Sequence, residues 1–312
     1  MGMSGQVYQG VKDLIGNTPV IQLNQMNLPA SVQVYAKLEF MNPGGSIKDR
    51  LGAALIRAGE ESGQLKLGGT IIEPTAGNTG IGLALAAIGT GYRVIFVVPE
   101  KFSIEKQKLM KALGAEVVNT PSQDGIKGAI AKAMELAKEM PDSYCPQQFQ
   151  NPANPEVHYQ VTGPEIWEQL EGKIDIFVAG AGSAGTFMGV ARYLKEKNPQ
   201  IRTVIVEPEG SILNGGEVGA HRTEGIGMEQ IPKFFDWSLV DQVYTVTDQD
   251  AFTWVKKLAK HEGLLVGSSS GSAYHAVDIE ARQDSTLHKK LTRIAVIFPD
   301  SSERYLSQSI YD

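Results

Sequence analysis

An α/β architecture of two open, mostly parallel-sheet lobes is what the sequence predicts, on three observations. Short β-branched runs alternate with helical patterns along most of the chain, which implies parallel strands covered by helices on both faces. The alternation comes in two series, parted by a proline- and asparagine-rich stretch, "FQNPANPEVH", at residues 149–158. Each series carries a glycine-rich loop between a strand and a helix, the place where open α/β sheets bind ligands. A chain of 312 residues is long for one core and comfortable for two lobes. We place them at residues 1–150 and 151–312, and expect roughly the first 40 residues to cross over to the second lobe.

The strands and helices come in order. "TIIEPT" (70–75) reads as a strand, "NTGIGLALAAIGTG" (78–91) as a helix closed by glycines, and "YRVIFVVPE" (92–100) as the next strand. "SIEKQKLMKALGA" (103–115) has helical periodicity and leads into the strand "EVVNT" (116–120). The second series runs from the strand "IDIFVAG" (174–180) through the helix "FMGVARYLKEKNP" (187–199) to the strand "RTVIVEPE" (202–209). The strand "QVYTVT" (242–247), the helix "DQDAFTWVKKLAKHEG" (248–263) and the strand "TRIAVIFPD" (292–300) complete it.

Two loops can bind anions. "PTAGNTG" (74–80) combines small residues with the polar groups of Thr75, Asn78 and Thr79, which suits a carboxylate or a phosphate; a tight, hydroxyl-capped turn is the plainer reading. "GAGSAGT" (180–186) satisfies G-x-G-x-x-G, and Glu207 closes the following strand, as in a dinucleotide site. The same loop also cradles a lone phosphate, with Ser183 and Thr186 assisting. Spacing alone does not separate the two.

"NPGGSIKDRL" (42–51) bears on that choice. Ser46 is a good N-cap, and Ile47, Leu51 and Leu55 mark one apolar helical face. Lys48 then sits in the first turn, where the helix dipole disfavours an ammonium. Asp49 is at home there and can balance Arg50. A lysine biased towards its neutral form is a nucleophile suited to an imine. Together with a phosphate loop, it makes the arrangement that holds pyridoxal 5′-phosphate.

"NPGGSIKDR", "EPTAGNTG", "QQFQNPANP…TGPEIW", "GAGSAGT", "EGIG…IP" and "GSSSGSA" stand in one order along the chain. In that order and spacing the sequence resembles the cysteine synthase/cystathionine β-synthase family, pyridoxal-phosphate enzymes of the tryptophan synthase β-like fold (fold-type II). "EKFSIEKQ", "VEPEGSILNGG" and "IFPDSSERYLS" are similar to its bacterial O-acetylserine-dependent cystathionine β-synthases. The resemblance implies that Lys48 holds the cofactor through an imine, and that Asn78 contacts its ring hydroxyl. Gly182, Ser183, Ala184, Gly185 and Thr186 would bind its phosphate, and Ser269 its pyridine nitrogen. Thr75, Ala76, Gly77, Asn78, Thr79 and Gln148 would grip the substrate carboxylate.

The reaction it implies is β-replacement: O-acetyl-L-serine and L-homocysteine give L-cystathionine and acetate, through an aminoacrylate intermediate. The alternative is sulfide as acceptor, giving L-cysteine. Sulfide-using relatives carry Gln-Gly-Ile-Gly where this chain has Glu224-Gly-Ile-Gly, so Glu224 is expected to pair with the ammonium of homocysteine. A dehydratase of the same fold fits less well. The resemblance also implies a homodimer, with a serine acetyltransferase C-terminal peptide as a further partner. Haem control and regulatory-domain control are not expected. Ala184 stands where a glycine is common, and is expected to fit with a negative φ.

Composition sets the remaining bounds. Hydrophobic residues at 42% and charged residues at 21% are a normal globular balance. A net charge of −6 disfavours nucleic acid and anionic membranes as partners. With Cys145 the one cysteine no intrachain disulfide forms, and a half-buried small residue is expected there rather than a reactive thiol. The five histidines, His158, His221, His261, His275 and His288, never fall at metal-ligand spacing, so no metal site is expected. The N-terminal residues lack a signal-peptide pattern and no apolar run approaches roughly 18 residues; a cytoplasmic location is expected.

Overall fold

The computed structural model describes residues 7–75, 77–100, 102–283 and 291–312. The first strands are β1 (Val20–Leu23) and β2 (Val32–Leu38), followed by α1 (Lys48–Glu61), β3 (Thr70–Pro74) and α2 (Asn78–Ala87). Next come β4 (Arg93–Pro99), α3 (Ile104–Ala112), β5 (Glu116–Thr120), α4 (Gly125–Glu139) and β6 (Ser143–Tyr144). The middle of the chain folds into α5 (Ala153–Val157), a π-helical turn at His158–Thr162 and α6 (Gly163–Gln169). β7 (Ile176–Gly180), α7 (Gly185–Lys197), β8 (Arg202–Pro208), β9 (Gln242–Val246), α8 (Asp248–Glu262), α9 (Ser268–Arg282) and β10 (Thr292–Phe298) complete the order.

Two sheets result, with orders β1-β2-β10-β7-β8-β9 and β5-β4-β3-β6. Every pairing is parallel except β1 with β2. Central strands are buried on both faces, hence their unbroken apolar runs: in β4 only Arg93 is exposed, and it pairs with Glu116 of the edge strand β5 at 2.7 Å. Apolar clusters cover both faces of the larger sheet and of the smaller one, the latter around Leu55, Ile81 and Phe96 on one face and Ile72, Ile95 and Ala129 on the other. Among the described residues no helix is long and apolar enough to cross a membrane.

Two packing features fix the first turn of α1 in place. α1 and α2 approach backbone to backbone: a Cβ at Gly82 would lie 2.3 Å from the Lys48 carbonyl oxygen, and one at Gly52 2.2 Å from the Gly82 carbonyl carbon. Glycine at both places lets that turn sit directly on α2. Behind it lies a buried ion network. Arg50 donates to Glu39 (Nε–Oε2, 2.7 Å) and to Glu165 (Nη2–Oε2, 2.7 Å), and Lys37 donates to Glu165 Oε2 at 2.7 Å. Asp49 therefore does not balance Arg50, as its sequence position suggested. Its Oδ2 accepts instead from the Gly44 amide at 2.5 Å, and burial pushes its carboxyl up to about 7.

Candidate active site

The C-terminal ends of β3, β7 and β10 and the N-termini of α1, α2, α7 and α9 surround one cavity of about 730 Å³. Lys48 and Ser269 line it, as do Thr75, Gly77, Asn78, Thr79 and Gln148 on the side of the smaller sheet. On the other side stand Gly182, Ser183, Ala184, Gly185 and Thr186, with Glu224 in the adjoining loop. Ala76 lies outside the described residues.

Lys48 opens α1, and its amide donates to Ser46 Oγ at 3.2 Å. Its Nζ makes no hydrogen bond or ion pair among the described residues. Burial is the main reason its amine is lowered to about 8, and the charge of Asp300 opposes that shift. Sequence reading put the helix dipole first; desolvation is the larger cause here.

The first loop is braced from beneath. Glu73, wholly buried in β3, accepts from the amides of Gln147 (2.9 Å) and Gln148 (3.2 Å). Gln148 Oε1 in turn accepts from Thr79 Oγ1 at 2.7 Å. Asn78 Nδ2 donates to Asp300 at 2.6 Å, and its Oδ1 accepts from Arg304 at 2.5 Å.

The second loop packs tightly: a Cβ at Gly182 would meet the Gly225 carbonyl oxygen at 2.4 Å. Gly182→Ala is therefore expected to push the two loops apart and weaken phosphate-ligand binding at least about 10-fold, read by fluorescence titration with the cofactor. Ala184 departs from expectation. Its φ is +60°, in the left-handed region, and its buried methyl costs roughly 1–2 kcal/mol there. Asn154 Nδ2 donates to Ser183 Oγ at 2.9 Å. His158 bridges Thr162 Oγ1 (2.9 Å) and Thr186 Oγ1 (3.2 Å), and burial first, then Lys48 and Arg50, keep its ring neutral.

Glu207 decides against a dinucleotide. Its carboxylate is fully buried and accepts from the amides of Leu213 (2.9 Å) and Asn214 (2.8 Å), so it has no reach to a ribose. Burial likewise pushes the Cys145 thiol up to about 12, which leaves it inert.

Glu224 is not a free loop charge. Lys106, from α3, donates to its Oε2, and Gln308 donates to its Oε1. The Lys106 side chain is 2% exposed and that of Glu224 32%, so the pair faces the cavity from the acidic side. Lys106 also lies 4.4 Å from the centre of the Tyr305 ring. Lys106, Asp300, Arg304 and Tyr305 were missed as site residues. "EKFSIEKQ" and "IFPDSSERYLS" contain them, and the strand-end position of Asp300 was the available signal.

A family profile for pyridoxal-phosphate dependent enzymes matches residues 11–300. The chain belongs to that family. It is 58% identical to the O-acetylserine dependent cystathionine beta-synthase of Bacillus subtilis over 98% of each chain. It is also 54% identical to a cysteine synthase of Helicobacter pylori, over 96% of this chain and 98% of that one. The crystal structure of an O-acetylserine dependent cystathionine beta-synthase from Helicobacter pylori superposes with a TM-score of 0.92 at 52% identity, covering 98% and 100% of the two chains. These likenesses place the chain in the cysteine synthase/cystathionine β-synthase branch of the family, with its fold-type II architecture.

Pyridoxal phosphate is the cofactor of this family, and the residues present fit it. The Lys48 amine, without a partner among the described residues, belongs to the cavity wall, and residues 180–186 offer glycine backbone and hydroxyls with no carboxylate among them. That donor set, at the N-terminus of α7, suits a phosphate dianion.

Proposed function

We propose that the enzyme replaces the acetate of O-acetyl-L-serine by the thiol of L-homocysteine, giving L-cystathionine. The observation that carries this reading is the buried Lys106 cation paired with Glu224 on the cavity wall. An amino-acid thiol brings an ammonium and a carboxylate into the cavity. Glu224 matches the first and Lys106 the second, so the incoming zwitterion exchanges partners with the pair. Sulfide has no groups for either.

In this reading Lys48 holds pyridoxal phosphate covalently through Nζ. Gly182, Ser183, Ala184, Gly185 and Thr186 bind the phosphate, while Asn78 and Ser269 contact the ring. The bound cofactor supplies an electron sink that allows the β-substituent to leave and be replaced. Thr75, Gly77, Thr79 and Gln148 grip the carboxylate of the acetylserine and fix the direction of its Cα–H bond. Once the amine of the substrate has displaced it from the cofactor, the freed Lys48 amine, tethered beside that carbon, would take the Cα proton. A homodimer belongs to the same reading; sedimentation as a single chain would count against it.

Product analysis tests the assignment. Supplied with O-acetylserine and equimolar homocysteine and sulfide, the enzyme is expected to make cystathionine as the main product. A preponderance of cysteine would favour the second reading, a sulfide-using cysteine synthase, for which the Helicobacter relative's name is the support. Glu224→Gln should raise KM for homocysteine about 10-fold and that for sulfide less than about 2-fold. Equal losses with both thiols would remove the role of Glu224.

A further inference from the structure

We propose that Asp300 and Arg304 are positioning residues for the cofactor: they lock the Asn78 amide with a single N–H left for a ligand, and Asp300 sets its negative charge against the Lys48 amine. The inference rests on reading Asn78 as a cofactor contact.

The geometry begins at the end of β10. Ile47 N donates to Pro299 O at 2.9 Å, and Ser46 and Asp300 form an antiparallel bridge. The turn into Lys48 is thereby stitched to the strand end that carries Asp300. Asp300 is 2% exposed and lines the cavity. Its Oδ2 accepts from Asn78 Nδ2 at 2.6 Å and from the Tyr305 hydroxyl. Arg304 Nη1 donates to Asn78 Oδ1 at 2.5 Å, and its Nη2 donates to the Gly44 carbonyl. An anion on the amide nitrogen and a cation on the amide oxygen fix which way Asn78 faces, because a flip would set like against like on both sides. One lone pair of the carbonyl and one N–H are used, so the second N–H is the one donor the amide has left, available to an oxygen.

Asp300 is also the carboxylate that bears on Lys48. The other acid lining the cavity, Glu224, is paired with Lys106. On α1, Asp49 is turned to Gly44 and Arg50 to Glu39 and Glu165. Burial raises the Asp300 carboxyl, and Lys106 of α3, the Tyr305 hydroxyl, Asn78 and Arg304 of the C-terminal turn counter that rise; His158 behind Thr186 is neutral, and His221 and Arg222 also line the cavity. Burial lowers the Lys48 amine and Asp300 pulls it part of the way back, so removing that charge moves the amine further down.

The test uses the full chain freed of cofactor. Pyridoxal phosphate is added across a pH series, and its covalent capture at Lys48 is followed by absorbance and borohydride trapping. The wild-type rate is expected to rise through about pH 8. Asp300→Asn keeps acceptor and shape but loses the charge, and its midpoint should fall by about one unit. Asp300→Ser serves the same purpose if the asparagine variant does not fold. Arg304→Met should keep the wild-type midpoint but weaken cofactor affinity about 10-fold in equilibrium dialysis. An unmoved midpoint without the Asp300 charge, or wild-type affinity in Arg304→Met, overturns the proposal. Asn78→Ala separates the two layers: if it binds the cofactor as tightly as wild type, the reading of Asn78 itself has failed.

Discussion

Lys48→Ala should lower the rate of β-replacement by about 10⁴-fold or more, since it removes both the covalent tether and the proton acceptor at Cα. The fold should survive it. Lys48 Nζ has no hydrogen-bond or ion-pair partner among the described residues, so no buried group is orphaned by its loss. Protein stability gives a second check. The amine is lowered to about 8 in the folded protein from an ordinary value near 10.5. The unfolded chain therefore binds more protons between those two values, and cofactor-free protein gains stability as pH rises through that window. The alanine variant should lack that gain. Borohydride reduction of the wild-type holoenzyme, followed by peptide mapping, must place the cofactor label on Lys48; a label on another lysine would end this account of the chemistry.

Arg50→Met is expected to be the most damaging single change to stability, by about 3–5 kcal/mol in urea denaturation. The guanidinium stands between Glu39, which is fully buried, and Glu165, which is 11% exposed. Methionine fills much of the volume but leaves two carboxylates facing each other, with Lys37 as the cation beside them. The acid side of the stability curve should change as well. Burial opposes the charge on Glu165, yet hydrogen bonds and charge from Arg50 and Lys37 hold its carboxyl at about 2. In the wild type that stabilisation is complete above about pH 4.5 and is lost as pH falls towards 2. The methionine variant, with less to lose, should show a shallower acid limb. A loss under about 1 kcal/mol would mean that water or neighbouring groups satisfy the two carboxylates without Arg50.

Unbroken apolar runs made the parallel strands legible, since β-branched stretches such as those of β4 and β10 are buried on both faces. The glycine loops at strand ends marked where a ligand would sit, because close backbone approach leaves a trace in composition. β1, β2, α4, β6, α5, α6 and α9 were not picked out. α9 begins with "SSSGSA", serines and glycine of weak helix propensity that tertiary packing overrides. The site residues that went unread share one property: each acts through a partner far away in the chain. Lys106 meets Glu224 at a separation of 118 residues, and Arg304 meets Asn78 at 226. No local spacing encodes such meetings. Ala184 went the other way, because its backbone angle is imposed by the turn into α7 and not by its own preference.

The pairing of β2 with β10 ties residue 32 to residue 292 and residue 38 to residue 298. A ribosome must therefore release the chain as far as residue 298 before the larger sheet can close. Strands β3 to β6, confined to residues 70–144, are free to assemble long before that. Until the last strand emerges, β1 and β2 wait as an exposed apolar hairpin, and the nascent chain is open to aggregation for that interval. Truncation from residue 292 onward would remove β10 and thus leave β2, about 250 residues earlier, without its parallel partner.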